Sequence, residues 1–175
     1  MNCIKTDTLG VDTPIKRIQT LLHDVLSVEW NLSKLDVYGR VYNNKRNNNI
    51  IPEYYLGNKE YKEVLLNDNR EGIIFFNIGD SHVLEGNEFT VDCEIIFSLD
   101  LEAINGNEYR SDTEVHMQCF ELVKRFKSIF DFKSIETGLE NVYSNYRGVE
   151  SYFKGMQVYH HFKIIGKITY TNTNC

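Results

Sequence analysis

The sequence predicts an α+β protein, a mostly antiparallel sheet flanked by two main helices, folded as a single domain over residues 1–175. Three observations predict it. Apolar residues recur at helical spacing in two separate stretches, one after Thr13 and one after Ser111. Between and beyond those stretches apolar and polar residues alternate, the period of two that suits a half-buried strand. No linker, low-complexity stretch or internal repeat divides the chain, so the elements should share one body.

The first helix opens at Thr13-Pro14. A threonine hydroxyl can cap a first turn, and proline fits that turn because its missing N–H has no intrahelical acceptor to lose. Ile15, Ile18, Leu22, Val25 and Leu26 form one apolar stripe, which Trp30 and Leu32 should close against the body. From Leu35 to about Leu101 the text is strand-like, beginning with Val37, Gly39 and Val41 in alternation with Tyr38, Arg40 and Tyr42. Asn43 to Asn49 is polar and turn-prone, which predicts an exposed, mobile loop. Ile50 to Leu56 is extended again, with Pro52 pointing to an edge position. Gly57-Asn58-Lys59 reads as a turn, Tyr61 to Leu66 as a strand, and Asn67 to Arg70 as the turn after it.

Ile73 to Phe76 is a continuous apolar run, the pattern of a strand buried on both faces. Gly79-Asp80-Ser81 reads as a turn, and Phe89 to Leu101 as the longest strand, with Phe89, Val91, Cys93, Ile95 and Phe97 on one face. Ser111 and Glu114 have the spacing of a capping box. Val115, Cys119, Leu122, Phe126 and Ile129 then stripe a second helix, with Lys124, Arg125 and Lys127 near its C-terminal end. Phe132 to Arg147 is ambiguous between a short helix and irregular chain. Gly155 to Thr171 alternates as a long final strand, on which adjacent His160 and His161 must face opposite sides. Both ends are polar and expected to be flexible.

Composition narrows the function. The chain is 42% hydrophobic and 25% charged, as globular proteins are. A net charge of −6 argues against gripping nucleic acid as a main task, since phosphate neutralisation needs a basic face. Cysteines stand at 3, 93, 119 and 175 with no C-x-x-C spacing, so Cys93 and Cys119 read as small buried apolar groups. Met1 to Asp7 lacks the apolar core of a signal peptide, and no run approaches the ~20 apolar residues of a membrane span. The expectation is a protein made and kept in a cytoplasm.

Four constellations invite chemistry. Gly79-Asp80-Ser81-His82, after an apolar strand, resembles the nucleophile block of GDSL-type serine hydrolases, in which the serine needs a histidine base oriented by an acid. That family carries its acid and base as Asp-x-x-His; here the nearest approach is Asp112 with His116, one residue too long. His116 and Cys119 share a helix face and Cys93 could lie beneath, but zinc wants three or four ligands and no fourth is evident. Gly166-Lys167 has no partner glycine five residues before Gly166, and no G-x-G-x-x-G occurs, so no phosphate cradle and no cofactor is expected. Lys45 and Arg46, in the Asn-rich segment, are either the tip of an arm that touches a neighbouring subunit or passing DNA, or a solvated hairpin tip.

The order helix, antiparallel strands, helix, long strand is similar to that of tail-terminator and neck proteins of tailed phages. Tyr38-Gly39-Arg40-Val41-Tyr42, Ile51-Pro52-Glu53, Tyr61 to Leu66 and Met156 to Phe162 resemble structural proteins of the crAss-like phages of Bacteroides-like hosts. The resemblance implies a virion protein of the neck or tail, made in the host bacterial cytoplasm. It implies a homo-oligomeric ring that contacts other neck, tail or portal proteins, with no enzymatic role, no cofactor and no membrane. A ring with an acidic inner wall would let DNA slide. The alternatives are a small esterase using Ser81 and a monomeric phage accessory protein that binds a host partner. Long strands with exposed edges, such as Gly155–Thr171, are the expected means of closing a ring.

Overall fold

A computed structural model describes residues 8–65, 70–106, 111–149 and 159–171, together with the backbone of 2–3. The turn expected at 67–70, apart from Arg70, the start of the final strand at 155–158 and most of both termini lie outside the described residues.

The elements run β1 (Asn2–Cys3), α1 (Asp12–Glu29), β2 (Leu35–Arg46), β3 (Asn49–Gly57), β4 (Glu60–Glu63), β5 (Gly72–Glu85), β6 (Glu88–Asp100), α2 (Leu101–Asn105), α3 (Asp112–Lys124), β7 (Phe130–Thr137), α4 (Leu139–Val142) and β8 (Tyr159–Tyr170). The strands form one sheet in the order β4-β3-β2-β5-β6-β8-β7, with β1 beside β2. Ladders are antiparallel except β1–β2 and β2–β5. The fold is therefore α+β, with a mostly antiparallel sheet and α1 and α3 as its main helices.

Alternation sets the two faces. Along β6, Val91, Cys93, Ile95, Phe97 and Leu99 pack with the stripe of α1 (Ile15, Ile18, Leu22, Leu26) and that of α3 (Val115, Cys119, Leu122). On the opposite face Ile73, Phe75 and Ile96 pack with Val142, Tyr143, Tyr146 and Val149, the chain after β7. Ile73–Phe76 is buried on both faces, as the run predicts. The 3.6-residue stripe of α1 fills one wall of the larger core, and Trp30 closes it by donating its Nε1–H to Gln118 of α3 at 2.9 Å.

Several expectations change. The segment 43–49 is exposed but is not a loop: β2 and β3 pair through it, Lys45 opposite Ile50 and Arg46 opposite Asn49, so only Asn47-Asn48 turn. Asn47 takes φ 54°, a conformation asparagine tolerates. Pro52 sits on an inner strand, between β2 and β4. The β3–β4 ladder starts one residue later, at Glu53, and the Pro52 carbonyl accepts Val64 N–H, so the missing N–H falls past the ladder's end.

Thr13 does not cap α1, which begins at Asp12; its hydroxyl donates to the Thr8 carbonyl instead. The capping box at Ser111 does not form, because buried Ser111 is taken by the Asn105 side-chain amide. The ambiguous stretch Phe132 to Arg147 contains most of a strand, β7, which begins two residues earlier at Phe130, and a short helix, α4. β7 comes so close to β8 that a Cβ on Gly166 would collide with the Asp131 carbonyl oxygen and the Phe130 ring. Finally, β8 is not an exposed edge: it lies between β6 and β7, paired on both sides.

Candidate functional site

β2 and β5 run side by side from Leu35–Gly72 to Arg40–Phe76 and then part. The register already shifts between Val37 and Arg40, where the buried Gln19 side chain donates to the Val37 carbonyl at 2.8 Å. Beyond that point β2 continues with β3, and β5 continues with β6 as far as the Gly86-Asn87 turn. The sheet is thus split into two arms with a cleft of about 390 Å³ between them, lined by Arg40 to Asn44 on one wall and by Asn77 to Asp80 with His82 on the other. Among the described residues no strand pairs with the β5 edge that faces this cleft after Phe76.

Gly79-Asp80-Ser81 is not a turn between strands. It is a bulge inside β5: Ile78 is opposite Cys93 and His82 is opposite Val91, so these three residues face Asp92 alone. Such an insertion bends and twists a strand, which swings the arm away from β2. Turn-forming residues read equally well as a bulge, and sequence alone gives no means to choose.

Across the base of the cleft runs a polar seam. Asn43 Nδ2 donates to Asn77 Oδ1 at 3.1 Å, and Asn77 Nδ2 donates to Glu94 Oε2 at 2.8 Å. Glu94 Oε1 accepts from Lys163 Nζ at 2.9 Å, and Lys163 also reaches Glu136 at 3.2 Å. The chain of contacts crosses β2, β5, β6, β8 and β7 on the face opposite α1 and α3. The Lys163 side chain is 4% exposed, so its ammonium depends on these carboxylates for the solvation it has lost. A second cavity of about 300 Å³ opens beside the seam, with Asp92, Glu94, Lys133 and Asn145 in its wall. Sequence reasoning missed the seam because its members are single polar residues in separate strands. The only trace is Lys163 between Phe162 and Ile164.

Lys45 and Arg46 stand at the tip of the β2–β3 arm. Lys45 is exposed, whereas Arg46 folds back to pair with Glu53 at 2.6 Å across the hairpin. Ser81 is exposed on the bulge, and no catalytic histidine reaches it. His82 accepts or donates toward Tyr170 Oη at 2.7 Å, His116 contacts His160 at 3.3 Å, His161 contacts Ser98 Oγ at 2.9 Å, and His23 contacts Asp24 at 3.1 Å. All five imidazoles are engaged away from the Ser81 hydroxyl, so a serine-hydrolase triad is not assembled.

The metal reading fares no better. Cys93 and Cys119 are both buried in the larger core, and burial pushes both thiols up, away from the thiolate a metal needs. His116 turns to His160, and among the described residues no group of three or more His, Cys, Asp or Glu is placed to hold a metal. His160 and His161 do face opposite sides, His160 toward α3 and His161 toward Tyr143. Burial, with His160 adding to it, lowers His161 to about 4. No described helix is long and apolar enough to cross a membrane.

Among the described residues the main surface features are strand edges and a split sheet. Compared with known proteins, the chain matches no family model, and no curated protein sequence matches it.

Proposed function

We propose that this chain is a structural subunit of a virus particle, assembling into a ring in the neck or tail of a tailed phage and working without catalysis. The observation that carries this reading is the β5–β6 arm. Among the described residues β5 has no neighbour on its β2 side after Phe76 and still runs on to Glu85, with Val83 and Leu84 half exposed or more near its tip. A long unpaired edge with apolar side chains and no lysine or proline on it is one that a lone protein normally blunts. The β4 edge, by contrast, is short and charged. An edge kept open is explained when another chain covers it.

The resemblance of the chain to phage neck and tail-terminator subunits supplies the particle, and other neck, tail or portal proteins are then its further partners. The test is the mass of the purified protein over a range of concentrations, by light scattering and native mass spectrometry. A discrete multimer of fixed copy number is the expected result. A strict monomer up to the solubility limit would remove the ring reading.

A further inference from the structure

We propose that the open edge of the β5–β6 arm pairs, head to tail, with the β7 edge of a second copy of this chain. The inference rests on the ring reading and names its interface.

Strand direction fits. β5–β6, β6–β8 and β8–β7 are each antiparallel, so β7 runs opposite to β5. A second copy in the same orientation, shifted sideways, brings an antiparallel strand to the β5 edge, and repetition of that step extends one sheet from copy to copy. Both strands are open on the relevant side among the described residues: β7 ends the strand order, and β5 has no neighbour after Phe76.

Charge fits as well. From Ile78 to Asp92 the arm carries Asp80, Glu85, Glu88 and Asp92 and no lysine or arginine. The lead-in to β7 and β7 itself carry exposed Arg125, Lys127 and Lys133 against two acids, Asp131 and Glu136, of which Glu136 is already paired with Lys163. Apolar surface stands at both edges, Val83 at 50% and Leu84 at 59% exposure on the arm and Phe132 at 41% on β7. Two copies of the arm pairing with each other would set like carboxylates opposite one another, which is destabilising. The complementary patches lie on different parts of the surface, so the contact is heterologous and closes into a ring when its rotation divides a full turn.

The experiment reverses charge on each side in the full-length chain, with Glu85→Lys/Glu88→Lys on the arm and Lys127→Glu/Lys133→Glu on the β7 side. All four positions are exposed, and thermal melts followed by circular dichroism check that each variant folds as the parent does. Multimer dissociation is followed by light scattering at low and high salt. Each reversal alone should weaken assembly at least roughly tenfold, and the two together should restore much of it, since paired interfacial charges couple by that much or more.

If the parent assembles and both reversals assemble unchanged, this interface is wrong while the ring reading stands. Loss of assembly with the arm reversal alone, unrelieved by the β7 reversal, overturns the choice of β7 as partner. A parent that stops at a dimer overturns the head-to-tail geometry. A parent that never assembles overturns the ring reading and this inference together.

Discussion

Lys163 and His161 show how single buried groups on β8 set the behaviour of the sheet. Lys163 is held by Glu94 at 2.9 Å and by the more exposed Glu136 at 3.2 Å. Removing the closer carboxylate with Glu94→Leu strands a buried ammonium and should destabilise the fold by about 3 kcal/mol, at the low end for a broken buried pair because Glu136 remains. Glu136→Gln should cost under about 1 kcal/mol, the scale of an exposed pair. Urea unfolding of the two variants separates them; equal effects would mean that the seam is not what solvates Lys163. His161 contributes through pH. Its folded-state pKa is lowered from 6.5 to about 4 by burial and by His160. Between those values the unfolded chain binds a proton that the folded chain refuses, so stability falls as pH drops through that window. The loss is complete near pH 4 and amounts to about 3 kcal/mol at most. In His161→Gln the difference in urea stability between about pH 7 and about pH 4.5 should shrink by most of that amount. An unchanged difference would show that His161 is not the group that titrates.

At the scale of elements, periodic stripes made most of the fold legible. The α1 stripe, the doubly buried run Ile73–Phe76 and the one-sided pattern of β6 each reflect a face buried by neighbours, and each stands where the spacing puts it. The failures have a common physical cause: the outcome was set by a partner far away in sequence. The segment Asn43–Asn49 has the composition of a loop, yet cross-strand ladder bonds and the Arg46–Glu53 pair hold most of it as hairpin. β7 escaped because Lys133 interrupts its alternation at a bulge and Phe132 points to a face only partly covered. β8 looked like a free edge because nothing in its own residues reveals that β7 will return to cover it. The candidate site was the least legible part. The split between β2 and β5 follows from where pairing stops, and the seam of Asn43, Asn77, Glu94, Lys163 and Glu136 is drawn from five strands. The exposed tip at Lys45 could be read in advance, but the more telling acidic arm was hidden inside a misread turn.

For the molecule as a whole, the central strands belong to two cores at once. Ile74, Phe76, Ile95 and Phe97 face α1 and α3, while Phe75 and Ile96, their immediate neighbours in β5 and β6, face Tyr143 and Tyr146. Neither core can lose its wall without exposing the back of the other, so both should unfold in one step. The chain carries a reporter for each. Trp30, the single tryptophan, is 8% exposed and closes the α1–α3 side, so its fluorescence follows the larger core. Tyr143 and Tyr146, both 5% exposed, contribute near-ultraviolet circular dichroism from the smaller one. The two signals should give the same urea midpoint. Val142→Ala, in the smaller core and remote from Trp30, should move both midpoints down together, by an amount corresponding to about 1–2 kcal/mol for the two methyl groups removed. If the tyrosine signal moves and the tryptophan signal stays, the sheet does not couple its faces. The segment after β7 would then be a separately folding cover, and the polar seam would mark the boundary of a local opening in place of a joint within one cooperative body.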